Sequence, residues 1–508
     1  MIPPDVLVIA PFRQPTFRFG IAADYKHQEP WDSPPFLMAG AVEAAGFSAR
    51  LLQLINIFPG YSEEAHGAIL SQLLRASHAE VVLFVADHFI ASRSTAALYG
   101  MRQVVAHMAH SGMRPLFGAT GRIATALGRR LFELCPDLNF LVAGEAESVI
   151  GDVLGPAVRR DLEAMAAHPN VLVNGWGTRS HAEAAFLSDP NAAALPAYHL
   201  AGDMMRAFER IFGAPPQNIP FSIRTSLGCR LQCRFCAGVP NWNRYRLKSP
   251  ERVETEIDLL TKHCGAFARL SFLEDELFTV DDAHVDAVCA LLQRRALVLD
   301  GVYTHSAFLT GRSAAALATV TRHVYFGLDS ADDAILKHMK KGQRFENALA
   351  AIELAEKAGL AVALEWIIGS PGETRDNLIH SLNMIYNLLA TGTVDNINTY
   401  VYCPHPGTAF AEAAEEYGIE VLSGLDWIQE SGGFPAARTQ TLTRNEIFTA
   451  YLMSQLVILE AKDARHKIGP ARKVSSANYP YMRRLLGLIA EADVAAEHDR
   501  ALVTAVSS

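Results

Sequence analysis

Short apolar runs alternate with stretches whose apolar residues recur every three to four positions through the first ~150 residues, the pattern of a parallel sheet covered by helices on both faces. Asp5 to Pro11 (DVLVIAP) reads as a first strand. Pro34-Pro35 then opens a helix through FLMAGAVEAAGF. Proline suits a first helical turn, and Gly46 suits the cap after the last one. Further strands are predicted at 49–54, 81–86, 115–117 and 140–143, with helices beginning near Glu63 and covering Met101 to His110. This β-α repeat predicts a Rossmann-like domain over residues 1–155, with its ligand beyond the carboxyl ends of the strands. From 156 to 220 the pattern loosens into LSDPNAAALPAYHL and FGAPPQNIP, read as a linker with a short helix near Asp203 to Ile211. Alternation resumes with strands at 221–226, 269–273, 301–306, 323–328, 362–368 and 396–403. Six such units in a row predict a partial (β/α)6 TIM-like barrel over 221–425, its site at the C-terminal strand ends. Residues 426–508 carry helical patterns at Asn445 to Lys462 and near Tyr481 to Asp493, a helical C-terminal region. The fold class is α/β.

At 508 residues, half of them apolar, the chain is long enough for two or three domains with ample cores. The formal charge of −9 comes from 45 Lys plus Arg against 54 Asp plus Glu, with no long basic run, which argues against nucleic acid as a partner. No apolar stretch approaches the roughly 18 residues that span a bilayer. Seven cysteines, three of them bunched, do not form a disulfide framework and fit a reducing, cytoplasmic setting.

The three are Cys229, Cys233 and Cys236, in Cys229-Arg-Leu-Gln-Cys233-Arg-Phe-Cys236, directly after the first barrel strand. Tetrahedral zinc sites usually have four protein ligands, and no fourth is near. Three thiolates on a cubane iron–sulfur cluster leave one iron open, where chemistry can occur. The other strand ends line up with this loop. Glu274-Asp275-Glu276 follows the second strand and offers carboxylates to a cationic amine, or forms a solvated turn. Gly327-Leu-Asp329-Ser330 ends the fourth, with an aspartate suited to ribose hydroxyls. Gly369-Ser-Pro-Gly372-Glu373-Thr374 ends the fifth, where Gly369 permits close backbone approach. On the sixth, alternation puts Asn398, Tyr400 and Tyr402 on one face, before Cys403-Pro-His405-Pro-Gly407-Thr408. In the N-terminal domain, Gly118-Ala-Thr120-Gly121 and Gly144-Glu145-Ala-Glu147 lie at strand ends. There glycine admits backbone to a large ligand and the glutamates accept hydrogen bonds from amides, although turn glycines after strands are ordinary.

The C-x3-C-x2-C run, EDELFT, FGLDS…LKHMKKG, IIGSPGET and PHPGT, in this order, resemble the radical S-adenosylmethionine superfamily. Specifically, they are similar to its cobalamin-dependent members with an N-terminal cobalamin-binding domain, the class B methyltransferase-like group. The resemblance covers roughly residues 5 to 425. It implies a [4Fe–4S] cluster on Cys229, Cys233 and Cys236, with its open iron chelating S-adenosylmethionine. Glu274 or Asp275 would hold the methionine amine, Asp329 with Ser330 the ribose, and Gly369 the adenine region. Many relatives have glutamate where Asp329 stands. Cobalamin would lie at Gly118, Thr120, Gly121, Gly144, Glu145 and Glu147. The D-x-H-x-x-G run that supplies a lower histidine ligand in another cobalamin group is absent, since His88 follows Asp87 directly.

The implied activity is C-methylation of a small molecule, a natural-product intermediate, through a 5′-deoxyadenosyl radical and methylcobalamin. Electrons would come from an external flavodoxin- or ferredoxin-type donor. Tyr400, Tyr402 and Glu365 would orient the substrate, Cys403 is a candidate thiol or a buried structural cysteine, and His305 a candidate or a satisfied barrel histidine. A cyclisation or rearrangement on the same cofactors, and a cobalamin or iron–sulfur sensor, remain open alternatives. A methylthiotransferase does not fit, because the N-terminal region offers only Cys135.

Overall fold

The computed structural model describes residues 4–11, 31–54, 70, 74, 78–87, 91–212, 218–238, 244–265, 268–421 and 435–468. The helix expected near Glu63, His88 and the segment Tyr481 to Asp493 lie outside the described residues.

The N-terminal sheet contains β1 (Val6–Ala10), β2 (Ala49–Gln53), β3 (Val81–Val85), β4 (Leu116–Thr120), β5 (Phe140–Val142) and β6 (Val171–Val173). Its order is β2-β1-β3-β4-β5-β6, parallel except for β6. Strands buried on both faces read as continuous apolar runs, which is why VLVIA and VVLFV stand out in the sequence. The helix Ser33–Ala44 packs on one face and Ala91–His110 on the other. The predicted domain end at 155 falls short. β6 hydrogen-bonds antiparallel to β5, and Ala185 bridges to Gly144, so the sheet reaches well into the presumed linker. Pro- and Gly-rich sequence hides this because a three-residue edge strand leaves almost no periodic signal.

The second half begins with β7 (Ile219–Ile223), followed by the short antiparallel pair β8 (Ser226–Leu227) and β9 (Arg246–Leu247). Next come β10 (Ala268–Leu273), β11 (Val302–Thr304), β12 (His323–Asp329), β13 (Ala361–Ile368) and β14 (Asn396–Val401). The pairing is parallel, as expected of β/α units, but the sheet is divided: β7 pairs with β10, and β11 to β14 form a separate four-stranded sheet. A single bridge, Phe272 to Gly301, joins them, beside an irregularity in β10 between Leu270 and Phe272. A two-stranded hairpin, β15 (Ile419–Val421) with β16 (Ala437–Thr439), precedes the long helix Arg444–Ile468, which packs on the outside of β14 and on Arg375–Ala390. None of the described helices is long and apolar enough to cross a membrane.

The two halves share one core. Trp31 pairs with Phe221 (Trp31 N–H to Pro220 C=O, 2.8 Å; rings 5.1 Å apart), and Phe36 and Tyr198 pack on the same ring. All four are nearly inaccessible. Full burial stabilises by roughly 1.5–3 kcal/mol for each such side chain. Past the ends of β3 and β4, Asp87 and Arg122 reach Arg224 and Glu276, which lie past the ends of β7 and β10.

Candidate functional site

The three thiols lie on the loop that leaves β8 through Gly228, whose φ of 81° requires glycine. The Cys236 N–H bonds to the Cys233 carbonyl at 3.2 Å, and the Leu231 N–H to Cys229 Sγ at 3.4 Å. Two helices pin the loop: the Arg234 N–H donates to Met339 (2.9 Å) and its guanidinium to His338 (2.7 Å) at the end of Asp333–His338, and its carbonyl accepts from Phe410 (3.0 Å) of Ala409–Glu412. Burial raises the Cys229 thiol to about 11 and Cys233 to about 12. Both are therefore protonated unless a metal displaces the proton. Among the described residues, no three His, Cys, Asp or Glu side chains are grouped to hold a single metal ion. Three free thiols spread along one loop fit a cluster that gives each its own iron.

In the acidic triplet after β10, Glu274 and Asp275, which the resemblance assigns to the methionine amine, are hydrogen-bonded to neighbouring hydroxyls and amides. Glu274 is buried and accepts from the Ser33 N–H (3.1 Å), the Ser33 hydroxyl (2.6 Å) and the Ser222 hydroxyl. Asp275 accepts from Thr225 Oγ1 (3.0 Å), the Thr225 N–H (3.3 Å) and the Ser226 hydroxyl. Burial outweighs these bonds and pushes its carboxyl up to about 6. His284 Nε2 lies 3.0 Å from the same Thr225 hydroxyl, and burial lowers His284 to about 4. Glu274 and Asp275 thus fasten the strand end from which the cysteine loop departs.

Beyond β12, Asp329 is buried, holds φ 66° and pairs with the buried Lys341 ammonium. Burial works against that ammonium, but the Asp329 carboxylate outweighs it and keeps it protonated. Lys341 also lies 5.4 Å from the centre of the Phe235 ring, inside the cysteine loop. The His305 ring bonds the Lys341 carbonyl through Nε2 (3.0 Å) and accepts the Ala307 N–H at Nδ1 (3.1 Å), so it is a neutral, satisfied histidine. Ser330 is buried, and its hydroxyl accepts the Asp332 N–H (3.1 Å) at the turn into Asp333–His338. At Gly369 (φ 83°) an added Cβ would lie 2.4 Å from Ile447 of the last helix, so that side of the glycine is packed against the helix. Its N–H, with that of Ser370, is taken by Glu373 (2.7 and 2.8 Å). Glu373 is fully buried and burial pushes it to about 8, while the Ser370 hydroxyl and Glu373 Oε1 have no hydrogen-bond partner among the described residues. Buried polar atoms are as a rule hydrogen-bonded, so these two are positions that a polar ligand could satisfy.

The barrel lumen carries Glu365, which accepts from Asn398 (3.1 Å), and Tyr400, on the face opposite Ile397, Thr399 and Val401. Tyr400 is 36% exposed although it points inward, so the lumen is open. Tyr325 stacks on Tyr303 at 5.0 Å with Phe272 beside both. Tyr402 does not share this wall. The strand ends at Val401, and Tyr402 turns into an apolar cluster with Phe410, Met339 and Ile335. Cys403 is likewise no open thiol: it packs into the cluster on one face of the N-terminal sheet.

At the N-terminal strand ends, the glycines serve packing. Gly118 lies inside β4, where a Cβ would meet the Phe140 ring at 2.2 Å. At Gly121 (φ 99°) it would meet the Ala86 carbonyl at 2.5 Å, and at Gly144 (φ 82°) the Ala185 carbonyl at 2.2 Å. Glu145 is taken by Arg246 (2.6 and 2.7 Å) and the Leu187 N–H (2.6 Å). Glu147 is pushed to about 7 by burial and by Glu145. The Thr120 hydroxyl is buried without a partner among the described residues. Segments 12–30, 55–69 and 88–90, which follow β1, β2 and β3, lie outside the described residues. Sequence reasoning missed Asp87, Arg122 and Arg224. Arg122 bonds Asp87 (3.0 Å) and Glu276, and Arg224 reaches Asp87 (3.3 Å), linking the two halves. Single charged residues at strand ends carry no motif, so the sequence offered no signal for them.

Residues 223–385 match the Radical SAM superfamily. This segment is a radical SAM domain. Its match begins at Ile223 and takes in the cysteine loop, the carboxylates after β10, the Asp329–Lys341 pair and Glu373. Beyond the domain, the chain is 25% identical over 321 residues to an uncharacterized methyltransferase of Pyrococcus horikoshii, covering 62% of this chain and 65% of that one. It is 27% identical over 241 residues to the anaerobic magnesium-protoporphyrin IX monomethyl ester cyclase of Rubrivivax gelatinosus, covering 45% and 41%. The chain thus spans less than two thirds of the length of these curated relatives. The radical SAM methyltransferase TsrM of Kitasatospora setae, solved with tryptophan and a SAM analogue, superposes with TM-score 0.62 at 15% identity over 95% of both chains. OxsB, a cobalamin-dependent S-adenosylmethionine radical enzyme solved with aqua-cobalamin and S-adenosylmethionine, gives 0.57 at 15% identity over 91% and 61%. These likenesses establish the shared α/β architecture around the radical SAM domain.

Proposed function

We propose that the chain is a cobalamin-dependent radical SAM C-methyltransferase acting on a small molecule. The observation that carries this reading is the single core joining a Rossmann-like sheet to a radical SAM domain, with Arg122, just past β4, reaching Glu276 and the Gly238 end of the cysteine loop. When bound, the cluster, S-adenosylmethionine and cobalamin supply radical generation and a transferable methyl group, fed by an external flavodoxin- or ferredoxin-type donor. Cys229, Cys233 and Cys236 hold the cluster. Asp329, Lys341, Ser370 and Glu373 are the polar groups that S-adenosylmethionine would meet, and Thr120 offers its hydroxyl to cobalamin at the end of β4. Tyr325, Glu365, Asn398 and Tyr400 line the open lumen, where they orient a substrate through a carboxylate, an amide and phenol rings. A natural-product intermediate is the substrate class proposed.

Anaerobic reconstitution tests this. The wild-type protein should bind cobalamin, show iron–sulfur absorbance and, with dithionite, cleave S-adenosylmethionine to 5′-deoxyadenosine. Cys233→Ala should lose the absorbance and the cleavage together, and retained cleavage would refute the assignment. Relatives named as cyclases favour a second reading, rearrangement without methyl transfer. Product mass separates the two: a gain of one methyl supports methylation, and an isomeric product overturns it.

A further inference from the structure

Arg122 originates in the N-terminal domain, on the first residue of the helix that follows Gly121 at the end of β4. Its side chain is 3% exposed and crosses to the radical SAM domain. Two ion pairs fix it, one to Asp87 from the end of β3 and one to Glu276 from the loop after β10. Arg224, the residue after β7, is buried against the same Asp87 and lies 3.9 Å from Glu274. A guanidinium buried to this degree is held by those carboxylates and not by water.

The guanidinium also meets the cysteine loop. A Cβ built on Gly238, two residues past the last cysteine, would lie 2.6 Å from Arg122 Nη1 and 3.7 Å from Cys236 Sγ. The cation and the sulfur therefore flank one small space, which Gly238 keeps open. Glu276, paired with the same guanidinium, brings the opposite sign of charge to this space. One-electron reduction adds negative charge to an iron–sulfur cluster, and fixed charges and burial around it set its reduction potential. In a site with little water, a fixed cation beside one thiolate acts with little screening.

We propose that Arg122 is a positioning residue by which the N-terminal domain places a fixed positive charge against Cys236, raising the reduction potential of the cluster on the cysteine loop. This rests on the cluster assignment above. Because Arg122 is anchored at the end of β4, it makes the electron acceptance of the radical SAM domain depend on the docking of the N-terminal sheet. Glu276 is its counterweight, orienting the guanidinium while offsetting part of its charge.

The test is a redox titration of the reconstituted full-length protein, following the reduced-cluster EPR signal, with iron content measured alongside. Arg122→Met should shift the midpoint to a more negative potential at unchanged iron content. Arg122→Lys should fall between that variant and wild type. Glu276→Gln should shift the midpoint the other way. A purely structural role predicts equal iron loss in both variants, or no shift. Midpoints that stay put, or that move in the same direction for Arg122→Met and Glu276→Gln, overturn the proposal. If Arg122→Met does not fold, Glu276→Gln decides alone: a positive shift supports it, and none or a negative one refutes it. A wild-type protein that takes up no cluster fails the cluster assignment itself, and the proposal with it.

Discussion

Lys341 holds its ammonium against the carboxylate of Asp329 beneath the cysteine loop, both side chains buried and Asp329 in a left-handed backbone conformation. Asparagine tolerates that conformation. Asp329→Asn therefore removes the charge without adding backbone strain, and leaves an uncompensated buried cation. Breaking such a pair costs about 3–5 kcal/mol. Urea unfolding of Asp329→Asn should show a loss of that order, and Asp329→Asn with Lys341→Met should recover most of it.

Glu373 makes the stability pH-dependent. Burial raises its carboxyl in the folded state to about 8 from an ordinary 4.5, so the folded protein binds the proton more tightly than the unfolded chain does. Its contribution is fully present below pH 4.5, declines as pH rises and is gone above about 8. Glu373→Gln should flatten the pH dependence of unfolding across that window. An unchanged slope would mean that Glu373 is ionised in the folded protein.

His305 acts in the opposite sense. Burial, with the Lys341 ammonium beside it, lowers the imidazole to about 3. The unfolded chain takes up this proton first, so the contribution is present above pH 6.5 and is lost as pH falls toward 3. The imidazole NMR signals of His305 should show no titration between pH 5 and 8. His305→Phe should weaken the acid dependence and loosen the Lys341 loop, which loses its 3.0 Å bond.

Gly369 faces Ile447, and alanine there meets both a steric and a backbone cost. Overpacking costs typically about 1–3 kcal/mol, and the positive φ adds roughly 1–2. Gly369→Ala should therefore destabilise clearly in the wild type. In an Ile447→Ala background the additional loss should shrink to the backbone part alone. An equal loss in both backgrounds would show that the last helix does not press on this loop.

The elements that announced themselves were those with a strong period or a dense motif. Parallel strands buried on both faces wrote themselves as VLVIA and VVLFV, and the three cysteines stood out by their spacing before any contact was known. Strand ends proved softer. β4 runs on through Gly118 and Thr120, and the last barrel strand stops before Tyr402, because the end of a strand is set by what packs against it.

The sequence by itself determined the α/β class, the two successive β/α domains and the cysteine loop, because these depend on local period and residue spacing, and its motifs in order carried the resemblance to the radical SAM superfamily. Only the tertiary structure decided which carboxylates are available. Glu274 and Asp275 are saturated by Ser33, Ser222, Thr225 and Ser226, residues that spacing cannot place beside them. It likewise brought Arg122 to Asp87 and Glu276, and Lys341 to Asp329. Each of those ion pairs exists because burial removes the water that would otherwise satisfy the charges, and burial is a property of the packed chain.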